Sequence, residues 1–442
     1  MGARSRDRSR PHVVIAVVNL PVERDRRVIR ECKALEAAGY RVTVICPRGK
    51  QRLTYLPGTR DTAIRSFRQP LAGSGVVSFA MEFLWSFVCV AWRLFGLLLR
   101  GRVHGMQVCN PPDVFWPLAL LMRALGTPFV FDHHDLNPEL YECKADEKNE
   151  KPNGLILGIL KLFEKLSMRC ASWVVSTNES YREIAIRRGG CPPERVTVVR
   201  NGPAASEIKA APAAAYGPGA RKRIVYLGVI NPQDHVEAAV LAAERLIDLR
   251  GRDDWEMVIA GDGDCLADLR QLAAARGITD VVSFAGWLEA TQVDELLASA
   301  TIGVQPDPPT AMANLSTMAK SVEYVARGIP VVAVDLLETR RTAEGAAVYV
   351  PTGTPDELAK AIDTLLDSPA ELAAMREIAL RRFRETLSWD HQAAAYIEMW
   401  RTLVPVQVEA VGRVPRDRVT MMRAANDGEV VARPQPLESE RY

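Results

Sequence analysis

HVVIAVVNLPVERDRRVIRECKALEAAGYRVTVIC, residues 12–46, is the stretch on which the fold class turns. His12 to Val18 is a compact apolar run of strand length, NLPVERDRR is a polar loop, and a helical pattern runs through Ala38 until Gly39 stops it. Val42 to Cys46 is a second strand. Strand, loop, helix and strand in this order form the first unit of a parallel sheet, whose ligands gather at the carboxyl ends of the strands. The loop lacks the Gly-x-Gly-x-x-Gly fingerprint, which counts against a dinucleotide cofactor. It offers Asp25, Arg26 and Arg27 near the helix start, as surface charge or as ligand-facing groups.

Outward from that unit the alternation continues. Strands are expected at Ala63–Phe67, Met106–Cys109, Pro128–Asp132, Trp173–Ser176 and Val196–Val199, with helices at Asp113–Leu125, Leu160–Cys170 and Glu179–Arg188. Asn201-Gly202-Pro203 closes the series, and the following residues turn to Ala, Pro and Gly, the composition of a linker. A second alternating unit opens at Arg223–Leu227 and ends its first strand at Gly228. The expected architecture is α/β with two Rossmann-like domains: a basic arm at 1–11 without order, a first domain at 12–203, a linker at 204–222 and a second domain at 223–388. A last helix at 389–404 is expected to pack back on the first domain, and 405–442 reads as a disordered tail.

A chain of 442 residues exceeds what one core usually supports, and 48% hydrophobic with 25% charged residues is the composition of a globular protein. A net charge of +2 gives no argument for nucleic acid. Eight scattered cysteines, with no Cys-x-x-Cys pair and no metal-ligand spacing to the six histidines, read as small core residues in a reducing compartment. The Arg-rich start leads straight into a strand without a cleavage site, so no signal peptide is expected. Val76 to Leu99 is the most apolar region, interrupted by Glu82 and Arg93. It reads first as a pair of core helices, with interfacial contact and a membrane span as alternatives.

Two segments carry candidate chemistry. In NLSTMAKSVEYVARGIPVVAV, residues 314–334, a helix starting near Ser316 puts Ser316, Lys320 and Glu323 on one face. Ser316 or Thr317 would cap it, so that backbone N–H groups, a hydroxyl and an ammonium converge on an anion, while Glu323 accepts from sugar hydroxyls. The alternative is an ordinary amphipathic helix with a solvated Lys–Glu pair. In FDHHDLNPELYE, residues 131–142, His133, His134, Asp135 and Glu139 follow a strand's carboxyl end, a place for proton traffic or a neutral hydrogen bond. The helical His-x-x-x-His spacing of a zinc site is absent. Adjacent histidines point different ways, so one faces a ligand and the other packs locally.

These pieces, with STNESYREIA followed by VVRNGP and with STMAKSVEYVARGIPVVAVD, resemble a retaining glycosyltransferase of family 4 with the GT-B fold, over nearly the whole span from His12 to Leu403. The resemblance implies that Lys320 contacts the diphosphate of a sugar nucleotide, that Glu323 holds the ribose, and that backbone N–H groups near Ser316, Thr317 and Met318 assist. It implies that His134, in the pair His134-Asp135, meets the donor sugar, and that Asp25, Arg27 and Gly228 lie near donor and acceptor. It implies no metal and no cofactor, a helix terminus and basic groups stabilising the departing diphosphate. Two departures stand out. The first glutamate of the Glu-x7-Glu signature is Leu315, with Asn314 beside it as a partial substitute, and YLGVINPQDHVE lacks the usual basic pair after the first strand of the second domain.

The expected function is transfer of a sugar from a nucleotide donor, uridine-linked, to a glycan, lipid-linked or small-molecule acceptor in cell-surface or secreted glycan synthesis. The expected location is cytoplasmic, peripheral at the inner face of the membrane. A sugar-nucleotide epimerase and a lapsed binding scaffold are the alternatives.

Overall fold

The structure is a computed structural model that describes residues 9–69, 76–147, 150–208 and 221–406. The first sheet holds β1 (His12–Ala16), β2 (Arg41–Pro47), β3 (Ala63–Phe67), β4 (Gly105–Cys109), β5 (Phe129–His133), β6 (Trp173–Ser176) and β7 (Val196–Val198), in the spatial order β3-β2-β1-β4-β5-β6-β7. The second holds β8 (Lys222–Leu227), β9 (Trp255–Ala260), β10 (Val282–Gly286), β11 (Ile302–Gln305), β12 (Val331–Val334) and β13 (Ala347–Val350), in the order β10-β9-β8-β11-β12-β13. Every pairing between these strands is parallel. Each sheet is thus a doubly wound, Rossmann-like layer whose strand order reverses beside β1 or β8. The apolar runs of the sequence are the central strands, buried on both faces: Val13 to Val17 are fully covered, as are Val331 to Val334.

Helices of the first domain are α1 (Arg26–Ala37), α2 (Val76–Leu98), α3 (Trp116–Ala124), α4 (Asn137–Glu147), α5 (Gly154–Cys170) and α6 (Glu179–Arg187). Those of the second are α7 (Val236–Arg250), α8 (Leu266–Ala275), α9 (Ala290–Ala298), α10 (Ala311–Leu315), α11 (Ala319–Ala326), α12 (Leu337–Ala343), α13 (Pro355–Leu366) and α14 (Pro369–Arg382). The last helix, α15 (Trp389–Leu403), crosses back to the first sheet. Tyr396 Oη donates to Gln107 Oε1 at 2.6 Å, Tyr40 Oη donates to the Val404 carbonyl at 2.7 Å, and the Trp400 ring fills the space a side chain at Gly105 would take.

Three expectations change. The pair of core helices at Val76–Leu99 is one continuous helix, α2, buried on one side only. The helix expected from Asp113 starts at Trp116, because the turn after Asn110-Pro111-Pro112 occupies the intervening residues. The helix expected from near Ser316 begins later, at Ala319, and a separate short helix, α10, ends before it at Leu315. Of the segments read as arm, linker and tail, 1–8, 209–220 and 407–442 lie outside the described residues, whereas Arg10 is ion-paired with Asp61 and Ala205–Glu207 forms a single 3-10 turn.

Candidate active site

Parallel strands bring the loops after β1, β4, β5 and β6 to one edge of the first sheet. β5 delivers Asp132, His133 and His134 there. His133 is fully buried, its ring 5.7 Å from Phe131 and 5.2 Å from Tyr181 between centroids, so it is the histidine that packs. His134 is turned the other way. Its Nε2 lies 2.7 Å from Asp132 Oδ2, and its backbone N–H donates to Asn110 Oδ1.

Asp132 is the hub. Its carboxylate also accepts from Arg27 Nη2 at 2.8 Å, from Arg27 Nε at 3.2 Å and from Gln107 Nε2 at 3.1 Å. Burial alone would raise this carboxyl, but Arg27 and His134 outweigh it and hold Asp132 well below the usual carboxylate range. An ionised Asp132 accepts only, so His134 Nε2 carries a proton and Nδ1 is the ring nitrogen outside this contact. Glu31, buried beside the same hub and repelled by Asp132, is pushed well above its ordinary value.

The other first-domain candidates are engaged in the framework. Asp25 caps α1, its Oδ1 accepting from the Val28 N–H at 3.0 Å. Arg27, besides its pair with Asp132, donates from Nη1 to the Val199 carbonyl at 2.6 Å and to Asn201 Oδ1 at 3.0 Å. Asp135 lends its backbone: its N–H donates to Asn110 Oδ1 at 3.1 Å, and its carbonyl accepts from Asn110 Nδ2 at 2.7 Å.

In the second domain, neither Ser316 nor Thr317 caps α11; Met318 is the N-cap residue and makes no side-chain cap. Ser316 Oγ donates back to the Met312 carbonyl at 2.8 Å and closes α10, while Thr317 Oγ1 accepts from Asn178 Nδ2 at 3.1 Å. Ser316 therefore does not share a helical face with Lys320 and Glu323. In the first turn of α11, the Ser321 and Val322 N–H groups donate to the Met318 carbonyl at 3.1 Å and 3.3 Å, which leaves those of Ala319 and Lys320 without helical partners. Lys320 is buried, its Nζ 2.8 Å and 3.0 Å from the two oxygens of Asp307, 3.6 Å from Asp234, and 5.2 Å over the Tyr226 ring centre. Glu323 is paired with Arg327, which also reaches Asp294. No solvated Lys–Glu pair forms, because each residue has a partner elsewhere. Asn314 is tied at both ends, accepting from the Leu337 N–H at 3.1 Å and donating to the Thr310 carbonyl at 3.2 Å.

Gly228 leaves room for the lysine: a β-carbon there would stand 3.0 Å from Lys320 Cε and 3.0 Å from Tyr226 Oη. Gly261, at φ +141°, lets the loop after β9 touch the Gly228 carbonyl, where a β-carbon would stand 1.7 Å away.

The two sheets meet through residues whose roles the sequence did not disclose. Asn178 caps α6 by accepting from the Tyr181 N–H at 2.8 Å and also donates to the Leu315 carbonyl at 2.9 Å. Buried Glu338 accepts from the Ser180 N–H at 3.0 Å, Ser180 Oγ at 2.7 Å, Arg341 Nη1 at 2.7 Å and Arg200 Nη1 at 3.4 Å. The one available hint was local: Asp132 interrupts an otherwise apolar strand, PFVFDHH.

Among the described residues, Cys109, Asp132 and His134 bring donor atoms within 4.8 Å of one another. They suit a cation poorly. Arg27 already neutralises Asp132, and burial raises the Cys109 thiol well above its ordinary value, which keeps it protonated.

Two family models cover most of the chain: "Glycosyl transferase 4-like domain" matches residues 25–202, and "Glycosyl transferases group 1" matches residues 221–368. The chain belongs to the GT-B glycosyltransferases. It is similar to the alpha-D-kanosaminyltransferase of Streptomyces kanamyceticus, 28% identical over 64% of this chain and 72% of that one. Alpha-maltose-1-phosphate synthase of Mycolicibacterium smegmatis is 28% identical over 62% of this chain and 73% of its own length. In fold, sucrose-phosphate synthase from Thermosynechococcus elongatus superposes with a TM-score of 0.68 at 15% identity, covering 89% of this chain and 99% of that chain. Anabaena HepE in complex with UDP-glucose gives 0.61 at 14% identity, over 88% and 99%. This glycosyltransferase is thus an enzyme, which sets aside the scaffold alternative.

Proposed function

We propose that this glycosyltransferase moves a sugar, with retention of anomeric configuration, from a UDP-linked donor to an acceptor in cell-surface or secreted glycan synthesis. One observation carries the reading. The segment entering α11 is hydrogen-bonded to Asn178, just past the end of β6, and β6 pairs directly with β5, whose end carries His134. This link supports reading the candidate diphosphate site, the first turn of α11 with Lys320, together with the candidate sugar contact, His134.

In this reading the Ala319 and Lys320 N–H groups at the start of α11, with the Lys320 ammonium, take the diphosphate, and no metal is needed. His134 Nδ1 accepts from a donor-sugar hydroxyl. The departing phosphate receives the acceptor proton on the face it leaves. Lys320 must then share its ammonium between phosphate and Asp307. The HepE complexes with UDP and with UDP-glucose support the donor class. A cytoplasmic, membrane-peripheral location and a lipid-linked acceptor belong to the same proposal.

The test is mass-spectrometric detection of donor hydrolysis over a panel of sugar nucleotides, followed by NMR assignment of the product anomer. Release of UDP from at least one UDP-sugar, with an α-configured product from an α-linked donor, is expected. Turnover of none of the panel would overturn the donor assignment, and an inverted product would overturn retention.

A further inference from the structure

α2 carries an unusual outer face. On a helix of 100° per residue, Met81, Leu84, Val88, Trp92, Phe95 and Leu99 fall within an arc of about 80° that runs for roughly 27 Å. All six are exposed, Trp92 and Leu99 to 73% each. The two charged residues of α2 lie outside this arc and are engaged: Glu82 accepts from Gln69, and Arg93 donates to the Ser66 and Cys89 carbonyls while standing over the Phe67 ring. A solvent-facing stripe of that length with no polar side chain is not what a surface helix ordinarily presents.

Two further helices share its core. α3 and α5 bury their inner faces in the same core as α2. α5 exposes Leu155, Ile159 and Leu162, and the same side of that helix continues to exposed Lys165 and Arg169. Arg100 and Arg102, also exposed, follow α2 directly. None of these four basic residues has an ion-pair partner among the described residues.

We propose that the outer faces of α2 and α5 dock on a lipid bilayer containing anionic lipid, the apolar stripe lying at the boundary of headgroups and acyl chains. Trp92 sits in the stripe where indole rings favour that boundary, and the four cations match an anionic headgroup layer. The helix is long and apolar enough to cross a membrane, but crossing would pull Cys89, Val90 and Leu94 out of the core. A second copy on the same face would set these cations against their own counterparts. The docking rests on the membrane-peripheral location proposed above, to which it adds the face and the lipid, and it is read without turnover, so absence of sugar transfer would count against the transfer reading alone.

The experiment is co-sedimentation of the full chain with phosphatidylcholine vesicles, with and without phosphatidylglycerol as a third of the lipid. Binding to the anionic vesicles is expected, weakening as salt rises, with a blue shift of tryptophan emission. Leu84→Glu and Trp92→Glu should each lower the binding constant roughly tenfold or more and leave the melting temperature unchanged, since both positions are exposed. The Arg100→Glu, Arg102→Glu double variant should lose the preference for anionic lipid. Absence of binding, binding that survives both glutamate variants, or loss of binding on removing residues 405–442 alone would overturn the proposal. So would dimerisation of the wild-type chain that Trp92→Glu abolishes.

Discussion

His134 Nε2 lies 2.7 Å from Asp132 Oδ2, and that contact determines which nitrogen of the imidazole is available to a ligand. Asp132→Asn keeps the shape but can donate to the ring, which favours the other tautomer. A fall in kcat of roughly ten- to a hundredfold with little change in donor KM is expected. In the Asp132→Asn, His134→Ala pair the second change should add nothing to the first, because the aspartate acts through the imidazole. Additive losses in steady-state kinetics would refute that dependence.

Lys320 is held by Asp307 at 2.8 Å, so an incoming diphosphate meets a carboxylate beside the cation it needs. Asp307→Asn removes that competing charge. UDP affinity measured by calorimetry at low salt should rise roughly three- to tenfold. Weaker binding would mean that Asp307 serves to aim the ammonium.

Glu338 is fully buried and joins Ser180 and Arg200 of the first domain to Arg341 of the second. Glu338→Ala leaves the Arg200 guanidinium without its carboxylate and Arg341 with Glu183 alone, and should cost about 3–5 kcal/mol in denaturant unfolding. Glu338→Gln keeps part of the network and should cost less. Small-angle scattering of the glutamine variant should show a larger radius of gyration if the same contacts hold the domains together.

Asp113 is buried, and burial pushes its carboxyl up to about 6 despite hydrogen bonds from Asn110 and Asn137. A raised folded-state value means the protonated form is favoured in the fold. The contribution is full below the unfolded value near 4, and it is lost as pH rises through about 6. Relative to Asp113→Asn, the wild-type chain should therefore lose on the order of 2–3 kcal/mol between about pH 4 and pH 6.5. Unfolding curves of the two proteins at both pH values check the sign.

The sheets were legible because buried parallel strands leave continuous apolar runs, and the order of those runs in 12–46 and 223–334 carries the doubly wound topology. The site was legible only as far as local pattern reaches. The place where α11 begins depends on Asn178 holding Thr317 from 139 positions away, and nothing in residues 314–323 records that contact. Arg27 read as a free cation because its partner Asp132 is 105 positions distant. The single helix at 76–98 was misjudged for the opposite reason: Glu82 and Arg93 interrupt an otherwise apolar pattern, and periodicity alone does not say which half is covered.

The return of α15 to the first sheet bears on the order of synthesis. Gly105 lies beneath Trp400, and Gln107 accepts from Tyr396, so two sites on the first-domain strand β4 are completed by residues made nearly 300 positions later. As the chain leaves the ribosome, the first domain waits with part of its surface uncovered while the whole second domain is translated. A gene cut at the linker would yield one half lacking its closing helix and another carrying a helix with nothing to close.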